Sequence, residues 1–547
     1  MKNIANIFAI FLLFFSSNLI SQGNIDFEIS KNLDIYSAVI QQLNAHYVDD
    51  IHIGDLNKTA IEEMLKDLDP YTNYYAETQV EDVKYMRTGK YGGIGASIYS
   101  HKDTILVSSV LKDYPFYKSG IRAGDRIISV DGSSAIGKSI DELSDILKGS
   151  EGSSFNISIL PNGSNALVTK DIVREEIKIK NVPYYGILKD GIAYIKLNQF
   201  TEKAAEEINA ALKEMNGEET LKGLILDLRN NGGGLLQQAV EIMNIFLPAG
   251  NLIVATKGKV AEENFEYKTV KPAIFPDLPV LVLVNENSAS ASEIVAGAFQ
   301  DIDRGVIMGQ KSYGKGLVQK VFPLSYNAQM KITVAKYYIP SGRCIQAINY
   351  SEHDIYGKAI KISDSLSTDF KTLGGRTVKD AGGILPDVIL EGDKYSDIAT
   401  QLLIQHTIFR FINDFVLHHD SIRNVDNVQI SEDDFKDFKI FVLNSDFQYR
   451  EKEKTELKNL LKLDIISSNK ELELMAITLL DSINNSSMKS MEVHKEEIKK
   501  ILKQELASRY FFDEGRIYST LKSDTEIDEA VNLLKDNKRY SNILKSK

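Results

Sequence analysis

The chain has little of several features that define other protein classes. It contains a single cysteine, Cys344, so no intrachain disulfide can form and oxidising conditions would give the fold no covalent cross-link. No second long apolar run follows the one near the N-terminus, so we expect the mature chain to be soluble. The formal net charge is −12, which argues against a general nucleic-acid binder because phosphate contacts require a basic face.

Two familiar catalytic patterns are also missing. The eight histidines lie mostly outside the α/β part of the chain, and no Gly-x-Ser-x-Gly nucleophile elbow occurs, which disfavours a histidine-based serine triad. Zinc chemistry lacks support because there is no His-Glu-x-x-His, and His418 and His419 are adjacent instead of lying at helical ligand spacing. We therefore expect neither a metal nor a cofactor.

The chain is long enough to form several domains. With 547 residues and 43% apolar content it can bury large cores. Lys2 precedes the apolar run Ile7–Phe15, and the small polar residues that follow predict a signal peptide over residues 1–21. A membrane anchor is the alternative, but the run is far shorter than the roughly 20 residues that span a bilayer. We predict export, to the periplasm or to the medium.

The next part of the chain divides into a helical segment and a segment of short strands around a glycine loop. Residues 22–84 are predicted to form a helical module, because Leu33–Met64 has helical apolar spacing and ends in Leu68-Asp-Pro-Tyr-Thr72. That spacing is typical of packing. Residues 85–168 change to short strands around the loop Gly92-Gly-Ile-Gly95, with one helical stretch at Ile140–Leu147. The pattern predicts a compact β-rich domain.

Residues 169–395 alternate between strand and helix patterns. Ile192–Leu197, Leu221–Leu228 and Val280–Val284 are predicted strands, and Glu202–Met215 is a predicted helix. The turn Arg229-Asn-Asn-Gly-Gly-Gly234 leads into a further helical run, Leu235–Phe246. Its backbone could approach an anion or an oxyanion closely, although a tight strand-to-helix turn is an equal interpretation.

The third strand leads into a serine-rich helix start that could hold a nucleophile. Ser288, Ser290 and Ser292 precede the apolar helix Ile294–Phe299, where unpaired N–H groups can stabilise an oxyanion, and Lys315 lies 25 residues beyond Ser290. A capping box at Ser290-Ala-Ser-Glu293 is the structural alternative. Gly309–Gly316 nearly matches a P-loop, but Gly316 replaces the required Ser or Thr and the strand pattern Leu317–Phe322 replaces the helix.

Two motifs in the β-rich region resemble a PDZ domain. They are the loop Gly92-Gly-Ile-Gly95 and the string Ala-Gly-Asp-x-Ile-x-x-Val-Asp-Gly that ends at Gly132. The resemblance implies recognition of peptide tails. The N–H groups of Gly93, Ile94 and Gly95 would face a terminal carboxylate, and the following strand would offer an edge for β-augmentation.

Residues 30–390 as a whole resemble the carboxyl-terminal processing peptidases, also called tail-specific proteases. Besides the PDZ motifs, the resemblance rests on Asp227-Leu-Arg-Asn-Asn-Gly-Gly-Gly234, Ser288-Ala-Ser-Ala-Ser-Glu-Ile294, Gly314-Lys-Gly-Leu-Val-Gln319, and Arg376-Thr-Val with Gly382-Gly-Ile-Leu-Pro-Asp387. It implies Ser290 as nucleophile, Lys315 as general base and Gln319 as the residue that orients the lysine. The N–H groups of Gly234 and Ala291 would form the oxyanion hole, and Gly92–Gly95 would bind the tail.

The chemistry of a serine–lysine pair sets two further expectations. A lysine can accept the serine proton only when neutral, and burial lowers its pKa from about 10.4 towards neutrality. Gln319 lies on the predicted strand that follows Lys315, about 13 Å away along an extended chain, so a bend must bring the two together.

The C-terminal region, residues 396–547, is rich in Lys, Glu and Leu and is predicted to be helical. It could shield the active site, bind an adaptor or join subunits. The complete prediction is a multidomain α+β chain with an N-terminal helical segment, a PDZ-like domain, an α/β serine-peptidase core and a helical C-terminal region. Its function would be cleavage of protein substrates with exposed C-terminal tails; the alternative is a noncatalytic PDZ scaffold that binds such tails.

Overall fold

The computed structural model describes residues 25–354, 358–363, 367–380, 382–392, 394–419, 422–484 and 486–545. The predicted signal peptide lies outside the described residues. Within the described ranges, no helix is long and apolar enough to cross a membrane.

The N-terminal segment contains three helices and one short strand. Helix α1 covers residues 25–46, α2 covers Ile53–Lys66, strand β1 covers Asn73–Tyr75 and α3 covers Val80–Thr88. The first two helices share the apolar spacing seen in the sequence. Strand β1 leaves this segment and joins a sheet of the α/β core, as described below.

The β-rich region folds as an antiparallel sheet with a helix on one side. Its elements are β2 (Lys90–Gly93), β3 (Ala96–His101), β4 (Thr104–Val110), α4 (Pro115–Lys118), β5 (Arg126–Val130), β6 (Ser133–Ser134), α5 (Ile140–Leu147), β7 (Ser154–Leu160), β8 (Val168–Val173) and β9 (Glu175–Lys178). The sheet order is β3-β4-β5-β7-β8, with β6 paired to β5, and β2 pairs separately with β9. Strand β3, which follows the glycine loop, lies at the edge of this sheet.

The α/β core contains the remaining strands of the described residues. They are β10 (Tyr184–Ile187), β11 (Ile192–Lys196), β12 (Gly223–Asp227), β13 (Leu252–Gly258), β14 (Phe265–Lys268), β15 (Val280–Val284), β16 (Gly305–Gly309), β17 (Leu317–Pro323), β18 (Gln329–Tyr338), β19 (Ile348–His353), β20 (Ala359–Lys361), β21 (Asp369–Lys371), β22 (Thr377–Lys379) and β23 (Val388–Ile389). The helices are α6 (Ala204–Glu218), α7 (Leu236–Phe246) and α8 (Ala291–Asp301).

The central sheet of the core has the order β10-β11-β12-β15-β16-β23 and is parallel except for β10. Helices α6, α7 and α8 pack in one hydrophobic core with this sheet. Strands β12 and β15 are buried along their whole length, as expected for a parallel sheet covered on both faces. Because β12 and β15 are neighbours, the glycine turn and the serine turn that follow them lie at the same edge.

A second sheet carries the lysine. It has the order β1-β18-β13-β14, and β17, which begins two residues after Lys315, pairs with β18. Strand β1 pairs with β18 in the register Asn73↔Lys331. The domain boundaries set out from the sequence stay predictions, but the N-terminal segment contributes a strand to the core.

The C-terminal region is helical. Its helices are α9 (Asp397–Ile404), α10 (Thr407–His418), α11 (Glu432–Asn444), α12 (Glu451–Leu460), α13 (Asp464–Ser467), α14 (Lys470–Asn484), α15 (Ser486–Val493), α16 (Lys495–Leu521), α17 (Thr525–Lys535) and α18 (Asn537–Leu544). Side chains of α17 and α18, among them Ile527, Leu533 and Leu534, cover the second face of the central sheet. The last two helices therefore complete the peptidase core.

The β-rich domain also rests on this region. Tyr99 of β3 and Leu106 of β4 pack against Phe409 of α10, and the rings of Tyr99 and Phe409 meet edge to face at 5.1 Å. The contact links the strand next to the glycine loop to the C-terminal helices.

Candidate active site

Ser290 lies at the start of α8 in a strained backbone conformation. Its φ is 57° and its ψ is −115°, a combination that non-glycine residues adopt at a cost of about 1–3 kcal/mol. Its N–H donates to the Glu293 carboxylate at 2.8 Å, which is the glutamate half of the predicted capping box. The Ser290 hydroxyl itself makes no cap hydrogen bond. The turn thus presents this hydroxyl without using it to close the helix.

The two neighbouring serines have structural hydrogen bonds. The buried Ser288 hydroxyl donates to the Leu228 carbonyl at 2.8 Å, and the buried Ser292 hydroxyl donates to the Asn231 carbonyl at 2.9 Å. Both acceptors belong to the turn after β12. Ser288 and Ser292 therefore fasten the serine turn to the glycine turn.

The glycine turn fits tightly against the serine turn. Gly233 has a φ of +97°, and a Cβ at this position would lie 2.6 Å from the Ala289 carbonyl oxygen and 2.8 Å from the Ala291 nitrogen. The Asn231 side chain supports the turn by accepting from the Gly233 N–H and donating to the Leu197 carbonyl. The contact explains why a residue without a side chain stands here.

The predicted oxyanion-hole donors are available. Ala291 is the first residue of α8, and N–H groups at that position have no partner inside a helix. The exposed Gly234 lies in the turn that packs on Ser290, where its bridge to Phe200 uses the Gly233 carbonyl and the Leu235 N–H. Among the described residues, neither the Gly234 nor the Ala291 N–H donates to a protein acceptor.

Lys315 is held in a packed loop. Gly314 and Gly316 allow this, because a Cβ on Gly314 would lie 2.5 Å from the Ala347 Cβ and one on Gly316 would lie 2.9 Å from the Gln346 nitrogen. Burial lowers the pKa of Lys315 to about 8, with a smaller contribution from the charge of Lys331. The carboxylates of Asp69 and Glu293 act in the opposite direction. A substantial fraction of the amine is then neutral under mildly alkaline conditions.

One buried carboxylate joins the serine and the lysine. Glu293 is fully buried, and its Oε2 accepts from the N–H groups of Ser290, at 2.8 Å, and Lys315, at 2.9 Å. Its Oε1 accepts from the Ser312 hydroxyl at 2.6 Å and the Gly314 N–H at 2.7 Å. Burial raises the pKa of this carboxyl group, while the four donated hydrogen bonds act to lower it. The sequence identified Glu293 as a helix cap and gave no sign of its bonds to the lysine loop.

Comparisons with known proteins identify the family of the chain. The model of peptidase family S41 matches residues 191–355, the PDZ domain model matches residues 106–160, and a model described as "Probable PDZ-protease, C-terminal helical domain" matches residues 398–534. A carboxy-terminal-processing protease from Bartonella bacilliformis is 36% identical over 321 residues, which are 58% of this chain and 73% of that protein. The chain belongs to the family of carboxy-terminal-processing proteases. A "Probable CtpA-like serine protease" from Staphylococcus epidermidis is 34% identical over 345 residues, 62% of this chain and 67% of that one. A solved photosystem II D1 C-terminal processing protease is 25% identical with a TM-score of 0.35, covering 65% of this chain and 92% of that one.

The three family models and the Bartonella relative confirm the predicted resemblance, and the observed elements agree with the predicted multidomain α+β fold with its PDZ domain, peptidase core and C-terminal helices. The protein is a serine-type carboxyl-terminal processing protease with a PDZ domain that supports recognition of protein substrates.

The structure does not join the predicted catalytic side chains directly. In the described part of the protease, no hydrogen bond links the Ser290 hydroxyl to the Lys315 amine, and the Gln319 amide donates instead to the Thr333 hydroxyl at 3.3 Å. The register between β17 and β18 shifts between Val318 and Gln319, which supplies an irregularity in the strand between Lys315 and Gln319. The role of Gln319 stays a prediction.

A part of the site that the sequence missed comes from the N-terminal segment. The Lys315 Nζ lies over the ring of Tyr71, 4.1 Å from its centre. Tyr71 belongs to the turn Leu68-Asp-Pro-Tyr-Thr72, which sequence patterns indicate only as the end of a helical module. The turn itself was visible in the sequence, but nothing there indicated that it would meet Lys315.

The PDZ loop of the protease begins in a strand pair, where Gly92 lies opposite Glu176 and Gly93 opposite Glu175. The Gly92 N–H donates to the Glu81 carboxylate of α3 at 2.6 Å. Gly93, Ile94 and Gly95 are buried, and Gly95 has a φ of +68°, with no room for a Cβ because Tyr114 lies 2.4 Å from its position. Their role in binding a tail stays a prediction.

The glycine turn is also tied to the C-terminal helices. Arg229 pairs with Asp227 at 2.7 Å, with Asp524 at 2.9 Å and with Glu526 at 2.6 Å. Burial opposes the charge of Asp227, but Arg229 and Lys196 outweigh it and hold the pKa of Asp227 below its usual range. The ion pairs connect the glycine turn to the start of α17.

Proposed function

We propose that this protease cleaves peptide bonds with Ser290 as nucleophile and Lys315 as general base, and that its PDZ domain captures the C-terminal tail of the substrate. The observation that carries the proposal is the Glu293 carboxylate, which accepts from the backbone N–H groups of both residues. The strained Ser290 backbone and the lowered pKa of Lys315 are further support.

In the proposed reaction, the neutral Lys315 amine accepts the proton of the Ser290 hydroxyl as its oxygen bonds to the scissile carbonyl carbon. The N–H groups of Gly234 and Ala291 stabilise the negative oxygen of the tetrahedral intermediate. The lysine ammonium then donates its proton to the leaving amine as the C–N bond breaks. Water hydrolyses the resulting acyl-enzyme, with Lys315 again acting as base, and releases the new carboxylate and the free serine.

The Lys315 side chain must change its position for this reaction, because its amine lies on Tyr71 and makes no hydrogen bond to Ser290. Gln319 would hold the lysine in its new position. The loop Gly92–Gly95 and the edge of β3 would hold the tail as an added strand.

The test is cleavage of an unfolded reporter with an apolar C-terminal tail, followed by mass spectrometry. Ser290→Ala and Lys315→Ala should each lose cleavage by about 10³-fold or more, while Lys336→Ala, at an exposed lysine of β18, should cleave like the wild type. Ser290→Ala should still bind a labelled tail peptide in fluorescence anisotropy. Cleavage by folded Ser290→Ala would remove this serine from the nucleophile role, and tail binding without cleavage by the wild type would favour the scaffold.

Export and partners belong to the same proposal. The apolar run Ile7–Phe15 supports export, with the periplasm as the destination, and deletion of residues 2–21 should leave the protease in the cytoplasmic fraction.

Exposed apolar side chains at Leu474, Met475 and Leu479 of α14 support adaptor binding or self-association by the C-terminal region. A measurement of molar mass in solution for wild type and Met475→Ser tests the self-association.

A further inference from the structure

The ring that contacts Lys315 is fixed by a built turn. The Asp69 carboxylate accepts from the N–H groups of Tyr71, at 2.8 Å, and Thr72, at 2.9 Å, and from the Thr72 hydroxyl at 3.0 Å. The Thr72 hydroxyl accepts in turn from the Thr333 N–H of β18 at 3.2 Å. Together with the β1–β18 pairing, these bonds fix the position of Tyr71 in the core.

Two further tyrosines hold the Tyr71 ring. The rings of Tyr71 and Tyr350 meet edge to face at 5.9 Å, and the Tyr350 hydroxyl lies 3.4 Å from that of Tyr71. The Tyr71 hydroxyl donates to the Tyr313 hydroxyl at 3.3 Å. Burial, with these hydrogen bonds, raises the pKa of Tyr71 well above its usual range, so the ring stays neutral. An uncharged ring presents its negative face to the lysine.

We propose that Tyr71 is a positioning residue for Lys315, whose ring face holds the side-chain ammonium in the resting protease and sets how readily the amine becomes a free base. The inference rests on the proposed serine–lysine function and adds a residue from a different part of the chain to it. An ammonium over an aromatic face is stabilised in its charged form, whereas burial by the same ring favours the neutral form. These two effects of Tyr71 are opposite in sign.

Other charged and titratable groups face Lys315 from each neighbouring element. They are Lys331 on β18, Asp69 before β1 and Glu293 on α8, while the hydroxyls of Tyr313 and Tyr350 lie next to that of Tyr71. A substitution of Tyr71 leaves the three charged groups in place but removes the contacts of its hydroxyl with Tyr313 and Tyr350, and Tyr71→Phe measures that loss by itself. A change in the titration of Lys315 in a variant without the ring, relative to Tyr71→Phe, therefore reports on the ring face.

Two substitutions separate the opposing effects. Tyr71→Phe keeps the ring face and the burial and removes only the hydroxyl. Tyr71→Leu keeps an apolar side chain but removes the ring face, so the ammonium loses its attraction while remaining shielded from water. The expected result is a Lys315 titration near that of the wild type for Tyr71→Phe, and a midpoint lower by about 0.5–1 pH unit for Tyr71→Leu.

The experiment measures the pH dependence of kcat/KM for the unfolded reporter, and of the labelling rate of Ser290 by a fluorophosphonate, in the full chain. Tyr326→Leu is the control, because Tyr326 is 91% exposed in the turn between β17 and β18. Tyr71→Met provides a second variant without a ring face in case Leu disturbs the three-tyrosine cluster, and thermal melts identify any variant that fails to fold.

Three outcomes are distinguishable. A lowered midpoint in Tyr71→Leu or Tyr71→Met, with Tyr71→Phe and Tyr326→Leu unchanged, supports the proposal. An unchanged midpoint in both folded variants without the ring overturns it. A ring with a purely structural role would change the maximal rate of the pH profile and leave its midpoint unchanged. Wild-type activity in Lys315→Ala instead overturns the serine–lysine mechanism itself, independently of any result at Tyr71.

Discussion

Replacement of Glu293 by glutamine tests how the active site is assembled. The carboxylate accepts four hydrogen bonds and donates none, with two donors on each oxygen. A glutamine has the same shape, but its amide nitrogen can only donate. Whichever way the amide is oriented, two of the four donors face a nitrogen in place of an oxygen.

The magnitude follows from those two donors. If the amide nitrogen faces Ser312 and Gly314, the Ser312 hydroxyl can rotate and accept, although it already accepts from the Ile384 N–H at 2.6 Å. The Gly314 N–H is left without an acceptor. One lost buried hydrogen bond at about 1–3 kcal/mol predicts a loss of that size in the free energy of unfolding. The opposite orientation leaves the N–H groups of Ser290 and Lys315 unpaired and costs at least as much.

The assay is urea unfolding of Glu293→Gln and of the matched Glu286→Gln, followed by far-UV circular dichroism. Glu286 lies in the loop that precedes Ser290 and is exposed, so its substitution should change the free energy of unfolding by no more than about 0.5 kcal/mol. Cleavage by folded Glu293→Gln should also fall, because the carboxylate sets the backbone positions of Ser290 and Lys315. Equal unfolding free energies for the two variants would refute the reasoning.

Three further predictions concern the lysine, the glycine turn and the C-terminal helices. Because burial lowers the pKa of Lys315 to about 8 and only the neutral amine is a base, the cleavage rate should rise with pH through that value; initial rates from about pH 6 to about pH 10 check this, and a rate that falls over the same interval would contradict it. Gly233→Ala should reduce cleavage by about 10-fold or more, because its Cβ would displace the serine turn. Gly232→Ala should not reduce cleavage, since the space around its Cβ position is open. Comparable cleavage rates for the two variants would show that the serine turn can shift without loss of activity. Leu533→Ala, fully buried between α17 and the central sheet, should lower the free energy of unfolding by about 2–5 kcal/mol in urea, against little change for the exposed Leu443→Ala; a small loss at Leu533 would mean that the helix adds little to the core.

The sequence predicts the parts of this protease that depend on local patterns. The strand Val280–Val284, the serine turn and the helix after it are encoded within about 20 residues, so their order and type could be predicted. The glycines beside Lys315 are likewise a local feature of the sequence, and the close packing that they allow is present.

The remainder depends on contacts between distant residues. Tyr71 reaches Lys315 only because β1 pairs with β18, and a three-residue strand has too little pattern to indicate its partner. Apolar periodicity predicts helices in the C-terminal region, but it does not specify that Ile527 and Leu534 pack on the central sheet. Glu293 fits a capping box so well that its sequence context gives no reason to look for a second set of partners.

The ion pairs of Arg229 bear on when contacts can form during synthesis of the protein. The carboxylates of Asp524, which caps α17, and Glu526, in its first turn, are 295 and 297 residues beyond the arginine in the chain, so both are absent from any ribosome-bound chain that has not yet reached Asp524. In such a chain, Arg229 lacks two of its three acidic partners and the second face of the central sheet lacks its cover. The turn that carries Gly234 would then gain these ion pairs only after the PDZ domain, which precedes it in the chain, has been synthesised. Synthesis from the N-terminus thus leaves Arg229 and this face of the sheet without these partners until α17 has been made.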